Sequence, residues 1–594
     1  MLSSKNILIV SYLFIATVSF FYYPKWEIRG TEATISWDVS GYYWYLPTFF
    51  IYKDVKKLEF SKPVLEKYNP TPDYQQASPL PNGNYVLKYS SGMALQYLPF
   101  FTVAHLLAKP LGFEADGFTK PYQFALQLGS VLMCMLGLFY FRKMLLCYFT
   151  DKTVSILLIS YVFATNYFNY AAIDNAMSHN WLFTWYCILI YTTHRFYETP
   201  SVFRGILIGS IVGLCALTRP TDIISCLIPL FWGMNSFKIA AFQERFHYIS
   251  KNLKYYLPAI IAAALVGSIQ LFYWKYVSGD WFVYSYGDQK FSWLRPHTYD
   301  YMFKFRCGWL IYTPIMAFSL IGIYYLIKKR LHIVALVPFI ILNIYIVTAW
   351  DIWWYGGRAM VQSYPILAFP FAAFIEYFDS HKLKRNIIYA LTGLFIYYNI
   401  WWTHGVHRGG IVDAYGMTQA YWFKVVGRFK VNPDLVKLYD TNEYFDGTRK
   451  DVKLIYDNNF NTDTALIQAG KQITDNPAEF VNKERQYSKS YDLPLSMGTA
   501  KWLRASATFR CMFKEWDNWR MAQFIVRFKK DDTDVKAKMI KVHRFLDNGD
   551  VKTLFMDIKL PKKDFNKVSI SLWNVDSGQE LLMDDLKVET FNEE

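Results

Sequence analysis

The sequence predicts an α-helical polytopic membrane domain of about eleven transmembrane helices, followed by an extracytoplasmic antiparallel β-sandwich. Three observations predict it. Apolar runs of roughly 17 to 25 residues, long enough to cross a bilayer core, recur up to about residue 402 and then stop. Lys and Arg gather in alternate gaps between those runs, the asymmetry that orients membrane proteins. From about residue 453 onward, apolar and polar residues alternate with the period of half-buried strands. The chain therefore divides into a membrane domain (1–402), a linker (403–452) and a soluble domain (453–594).

Composition narrows the function classes. The chain of 594 residues is 53% hydrophobic and 19% aromatic, yet 19% charged, and those averages hide the division. A net charge of +15 would suggest nucleic acid in a soluble protein. Here much of the excess lies in short loops between apolar runs, where it sets orientation, so nucleic acid is excluded as a partner. Of the seven cysteines, Cys134, Cys147, Cys187, Cys215 and Cys226 lie in or beside apolar runs, and Cys307 begins one. Only Cys511 falls in the soluble domain, which therefore has no internal disulfide.

The elements follow in order. Lys5 precedes an apolar run at 7–23 that lacks a small-residue cleavage site, so it reads as an uncleaved first span with a cytoplasmic N-terminus. A long outer segment, 24–120, holds two short apolar helical stretches at 41–52 and 91–108, which read as interface-lying helices around a proline-rich loop. Spans two to four are expected at 122–146, 154–170 and 180–197. Spans five and six, at 204–217 and 222–234, are short enough to be tilted or re-entrant. A basic inner loop follows, then spans seven to eleven at 255–276, 308–327, 332–348, 361–377 and 387–402. An odd count places the soluble domain outside, in the periplasm of a Gram-negative cell. Its strands are expected within 501–513, 521–530, 537–546, 552–560, 567–575 and 584–591, with turns at 548–550 and 577–579.

All the candidate site residues lie on the outer side. Asp38, in WDVSGYYWY, reads as a general base or orienting carboxylate at a cavity mouth, or as a helix cap; Ser40 can supply the cap instead. Tyr42 and Tyr43 follow it. Asp174 and His179 share a loop and could orient a ligand or cap the next helix; two such groups do not make a metal site, and none is expected. Arg219, Arg295, Arg306 and Arg358, from three outer loops with His297 beside them, could cradle a phosphate or merely anchor in headgroups. Trp350, Trp353, Trp354 and Tyr355 read as an interfacial belt, or in part as rings that stack on a sugar.

The motifs WDVSGYYWYLP, GMALQYLPFFTVAHLLA, AMSHNWLF, GLCALTRPTD, GWLIYTPI and WWYGGRAMVQSYPILAFP occur in that order over residues 1–402. Together they resemble the GT-C superfamily of polytopic, polyprenyl-phosphate-sugar-dependent glycosyltransferases, in its bacterial branch. The resemblance implies a catalytic acid in the first outer loop, where Asp38 stands, and a lateral opening to the bilayer. It implies a polyprenyl-phosphate-linked sugar as donor, a glycan, lipid or protein as acceptor, contact with membrane lipids, and no cofactor. Related members carry GGxxYGPR where this chain has WYGGRAMVQ, with Arg358 closer to the glycines. The C-terminal SLWNVDSGQELLMDDLKVETF loosely resembles carbohydrate-binding β-sandwiches. Competing readings are a transporter or flippase for a lipid-linked glycan, and a non-catalytic glycan-assembly protein.

Overall fold

Helices fill the N-terminal part of the chain and antiparallel strands the C-terminal part. The computed structural model describes residues 3–72, 74–306, 308–350, 356–413, 416–512, 520–575 and 577–594. The chain packs as two units, Met1–Tyr415 and Gly416–Glu594. Cys307, Trp353, Trp354 and Tyr355 lie outside the described residues.

In the first unit, four helices are long and apolar enough to cross a membrane: Ser4–Tyr22, Lys120–Leu145, Leu253–Ser278 and Arg358–Asp379. Shorter apolar helices span Gly92–Ala108, Val202–Thr218, Pro220–Phe231 and Ile333–Ala349. Length and apolarity therefore mark fewer segments than the eleven spans expected. Part of the difference is breakage. The stretch at 154–170 is two helices, Asp151–Phe163 and Tyr167–Ala172. At 222–234 the 3-10 turn Pro220–Cys226 leads into Leu227–Phe231, and around 308–327 the turn Pro314–Met316 separates Trp309–Tyr312 from Ala317–Lys329. Pro220 and Pro314 each open such a turn, where a missing N–H is tolerated. The basic segment expected as a loop contains the helix Ile239–Lys251.

One helix pair shows how the unit packs. Gly205, Gly209 and Gly213 form a stripe with four-residue spacing along Val202–Thr218. A methyl group added at any of them would overlap the backbone of Leu253–Ser278, at the Tyr255, Ala259 or Ala263 carbonyl. Such contact suits helices in lipid, where close backbone approach replaces the hydrophobic effect as the driving force. The outer side of Leu253–Ser278 leaves Leu257, Ile260, Ile261 and Leu265 exposed.

The residues expected as a linker divide between the units. The helix Lys382–His407 continues past residue 402, and Gln419–Val425 lies in the second unit. That unit holds two large antiparallel sheets, with Glu479–Val481 added to the first and a small separate ladder between Gln472–Ile473 and Asn476–Pro477. One orders Val551–Lys559, Trp502–Met512, Glu580–Glu593 and Arg449–Asn458; the other orders Thr533–Lys541, Gln523–Lys530, Lys567–Trp573 and Tyr491–Pro494. Their inner faces share one apolar core, where Phe509 of the first meets Phe524 of the second at 5.2 Å between ring centres. Alternation located most of these strands. It missed Arg449–Asn458, whose side chains are mostly solvent-facing and polar. The stretch at 537–546 leaves its strand at Lys541 for a short 3-10 turn. Of the turn sites, 548–550 and 577–579 connect strands that are not paired with each other, whereas Lys530 and Thr533 close the Gln523–Lys541 hairpin.

Candidate active site

Asp38 sits in the first turn of the helix Trp37–Tyr43. It caps nothing: Ser36 holds the cap position, and Ser40 lies inside the helix, donating to the Trp37 carbonyl at 2.7 Å. Trp37 has φ of +45°, a left-handed conformation costly for a bulky side chain. Its amide is held by the Pro70 carbonyl at 3.1 Å. That strained entry sets the direction from which Asp38 leaves the chain.

Both Asp38 oxygens are engaged. Tyr89 donates its hydroxyl to Oδ1 at 2.7 Å, and Arg358 Nη2 lies 3.0 Å from Oδ2. The Asp38 and Arg358 side chains keep 19% and 25% of their surface, so the pair is reachable from solvent. Gly41 explains the Tyr89 contact. A Cβ there would fall 2.5 Å from the Tyr89 ring, so the glycine lets that ring lie against the helix. Arg358 is delivered by two glycines. Gly356 and Gly357 have φ of +67° and +65°, and a Cβ on Gly357 would meet Trp309 at 2.6 Å. Asn166 fastens the turn by donating to the Gly356 carbonyl at 2.6 Å.

Beside this pair stands a second polar group. Tyr42 packs edge-on against Tyr89 at 4.6 Å, and its hydroxyl lies 3.4 Å from Ser178 Oγ, next to His179. His179 Nδ1 is 2.8 Å from Gln362 Oε1. The amide oxygen can only accept, so Nδ1 carries the proton and Nε2 the lone pair. Gln362 in turn donates through Nε2 to Asp222 Oδ2 at 3.2 Å, and Tyr186 donates to Asp222 Oδ1 at 2.8 Å. Arg219 Nε lies 3.9 Å from Asp222 Oδ2. Its Nη1 is 3.5 Å from His179 Nδ1; both nitrogens carry protons, so this is proximity and not a bond.

Lys88 adds a third cation. Its Nζ lies 5.5 Å from the Tyr89 ring centre and 5.9 Å from that of Tyr286. Its backbone is pinned at both ends, by the Gln76 carbonyl at 2.9 Å and by Ser285 Oγ at 2.6 Å. Burial pulls the Lys88 ammonium below the ordinary lysine value; Asp38 opposes that and Arg358 adds to it. Burial and the Asp38 charge push the Tyr89 hydroxyl well up, so it stays a donor. Lys88 and Arg358 thus act on the accessible Asp38 carboxylate, and Arg219 acts with Arg358 on Tyr42; three cations against Asp38 and the buried Asp222 leave an excess of positive charge suited to an anion.

The structure brings together Asp38, Tyr42, His179, Arg219 and Arg358 from the sequence expectations. Tyr43 and Asp174 are engaged elsewhere. Tyr43 is buried against Phe101 and Phe118 and donates to the Gly117 carbonyl. Asp174 pairs with Lys25 at 2.9 Å and accepts from Asn169 at 3.0 Å. Burial pushes its carboxyl up, but Lys25 and His407 outweigh that and hold it down at about 2. Arg295 and Arg306 are exposed, and His297 starts the helix Thr298–Phe303, its amide bonded to the Thr348 carbonyl at 2.8 Å. Trp350 is half-buried, with Phe291 at 4.8 Å.

Sequence reasoning missed Lys88, Tyr89, Gln362 and Asp222. Asp222 had a visible signal, the three-residue spacing from Arg219 in TRPTD. Lys88 had a weaker one, a lone lysine at the entry to an apolar helix. Among the described residues no group of three or more His, Cys, Asp or Glu side chains could hold a metal ion. No protein-family model matches this chain, and no curated protein matches it either.

Proposed function

We propose that this protein is a GT-C-type membrane glycosyltransferase. Its membrane domain spans the bilayer about eleven times, with the two-sheet domain on the periplasmic side. The substrate is a sugar carried on polyprenyl phosphate, and the acceptor is a hydroxyl-bearing glycan, lipid or protein. The acceptor oxygen attacks the anomeric carbon while Asp38 takes its proton. The bond from that carbon to the phosphate oxygen breaks, and polyprenyl phosphate leaves with the electron pair. Lys88, Arg219 and Arg358 meet the charge gained by the phosphate. A guanidinium carries five N–H donors in a fixed fork, which is the donor set needed to bond a carboxylate and a phosphate together.

One observation carries this reading: Asp38 lies 3.0 Å from Arg358 and 2.7 Å from Tyr89, with Lys88 and Arg219 close by. A base beside clustered cations is the minimum for displacing a phosphate-linked sugar. The test is incubation of purified protein with a panel of polyprenyl-phosphate sugars and candidate acceptors, followed by mass spectrometry. Release of polyprenyl phosphate that depends on Asp38 is expected. Full turnover by Asp38→Asn would remove it from the mechanism, and no release across the panel would count against the transferase.

A further inference from the structure

The helix Ile239–Lys251 has one face that is exposed among the described residues. Two other faces are accounted for. Arg245 donates to the Trp232 carbonyl at 2.5 Å, and its guanidinium lies 4.6 Å over the Tyr197 ring; Tyr248 packs near the same ring at 5.7 Å. Phe242 meets Phe231 at 6.0 Å. On the polar side stand Glu244, His247 and Lys251. The remaining face presents Ile239 and Phe246, which are 77% and 75% exposed, with the exposed Gln243 and Ser250 beside them.

We propose that this helix lies in the plane of an anionic phospholipid leaflet, with Ile239 and Phe246 inserted below the headgroups and Lys238, Lys251 and Lys254 among the phosphates. Two things on the molecule choose a bilayer over a protein partner. The first is continuity: after Asn252 the chain enters Leu253–Ser278, whose exposed apolar side chains require lipid, so the shorter helix sits at the end of a span. The second is charge: Lys238, Arg245, Lys251 and Lys254 face one acid, Glu244, within 238–254. A helix with exposed aromatic and aliphatic residues beside lysines binds membranes in this way, and the lysines favour anionic headgroups. The helix is fastened to the span bundle through Arg245, so its depth would fix the height of the bundle in the leaflet.

The inference rests on the membrane reading and not on the transferase, so its test needs no turnover. Cys147, which is exposed, is first replaced by serine. A nitroxide is then placed at Phe246→Cys or, as a reference, at Leu265→Cys, in proteoliposomes of equal parts phosphatidylglycerol and phosphatidylcholine. Both labels are expected to collide more with oxygen than with a water-soluble nickel chelate. A label at 246 that prefers the chelate, or is shielded from both reagents, while 265 reports lipid, would overturn the proposal and leave the membrane reading standing. Water at both positions would overturn both. A variant with Lys238, Lys251 and Lys254 all changed to Gln should retain several-fold less phosphatidylglycerol than wild type through purification, with phosphatidylcholine unchanged. Equal retention would remove the anionic preference.

Discussion

Asp38 and Arg358 form an ion pair at 3.0 Å, although one stands soon after the first long apolar helix and the other follows Gly356 and Gly357 late in the first unit. The pair makes Asp38 a carboxylate that is held in place yet partly open. Asp38→Asn keeps the shape and the Tyr89 contact but loses the base. It is expected to lower turnover at least about 100-fold, within the range of general-base removal, a loss far larger than any fall in the folded fraction measured in detergent. Arg358→Lys loses the fork-shaped donor set that meets the charge gained by the leaving phosphate and should lower kcat more than it raises KM for the donor.

Lys88 offers a test by pH. Its pKa is lowered below 10.5, with burial as the leading cause. The ammonium is therefore lost at a lower pH than for a free lysine, and phosphate affinity should fall as pH rises through that lowered value. Lys88→Gln should weaken polyprenyl-phosphate binding by about tenfold or more, as expected for a hydrogen bond to a charged group, and abolish the alkaline fall. Binding to protein in nanodiscs across a pH series reads both.

The chain from Asp222 through Gln362 to His179 predicts a tautomer. His179 should carry its proton on Nδ1, readable from the nitrogen shifts of labelled imidazole. Gln362→Leu removes the acceptor and should shift the population toward the Nε2 proton. A spectrum with the proton already on Nε2 in the wild type would reverse the role assigned to Gln362.

Asp174 is expected to matter for stability and not for chemistry. The ion pair with Lys25 is largely buried, and removing one partner of such a pair costs about 3 kcal/mol or more. Asp174→Asn should therefore lower the melting temperature while residual folded protein keeps its KM. The folded-state carboxyl is depressed to about 2, so the pair's contribution is complete above the ordinary carboxylate value. It is lost as pH falls from there through about 2.

His543, in the second unit, makes a prediction in the adjoining, less acid part of the scale. It is buried, Nδ1 accepts from the Ala522 amide at 3.1 Å, and burial holds its pKa down at about 4. Protonation breaks that bond. Stability should be full above the ordinary histidine value of 6.5 and decline as pH falls from there toward about 4. His543→Gln, which can still accept from the amide, should flatten that decline in melts followed by strand circular dichroism.

Much of the helical pattern could be read from apolar run length. Burying apolar surface, in lipid or in protein, demands it locally, and the run survives short breaks at Pro220 and Pro314. The break points themselves could not be read, because they depend on which backbone groups find partners across the fold. The helix Ile239–Lys251 was obscured by its polar residues, since Glu244, His247 and Lys251 on one side make a short amphipathic helix resemble a loop. Arg449–Asn458 was obscured because its polar, solvent-facing side chains carry little of the alternation that marks a half-buried strand.

The candidate site divides in the same way. WDVSGYYWY already contained a carboxylate and a glycine, and YGGR already contained an arginine behind a turn, because those needs are local to a few residues. Nothing local says that Tyr89 lies on Gly41, that Lys88 stands beside Asp38, or that Gln362 links His179 to Asp222. The same holds for the residues that went elsewhere: Tyr43 faces Gly117 and Asp174 is tied to Lys25. Distances between segments far apart in the chain are settled by packing across many helices at once, and a linear pattern holds no record of them.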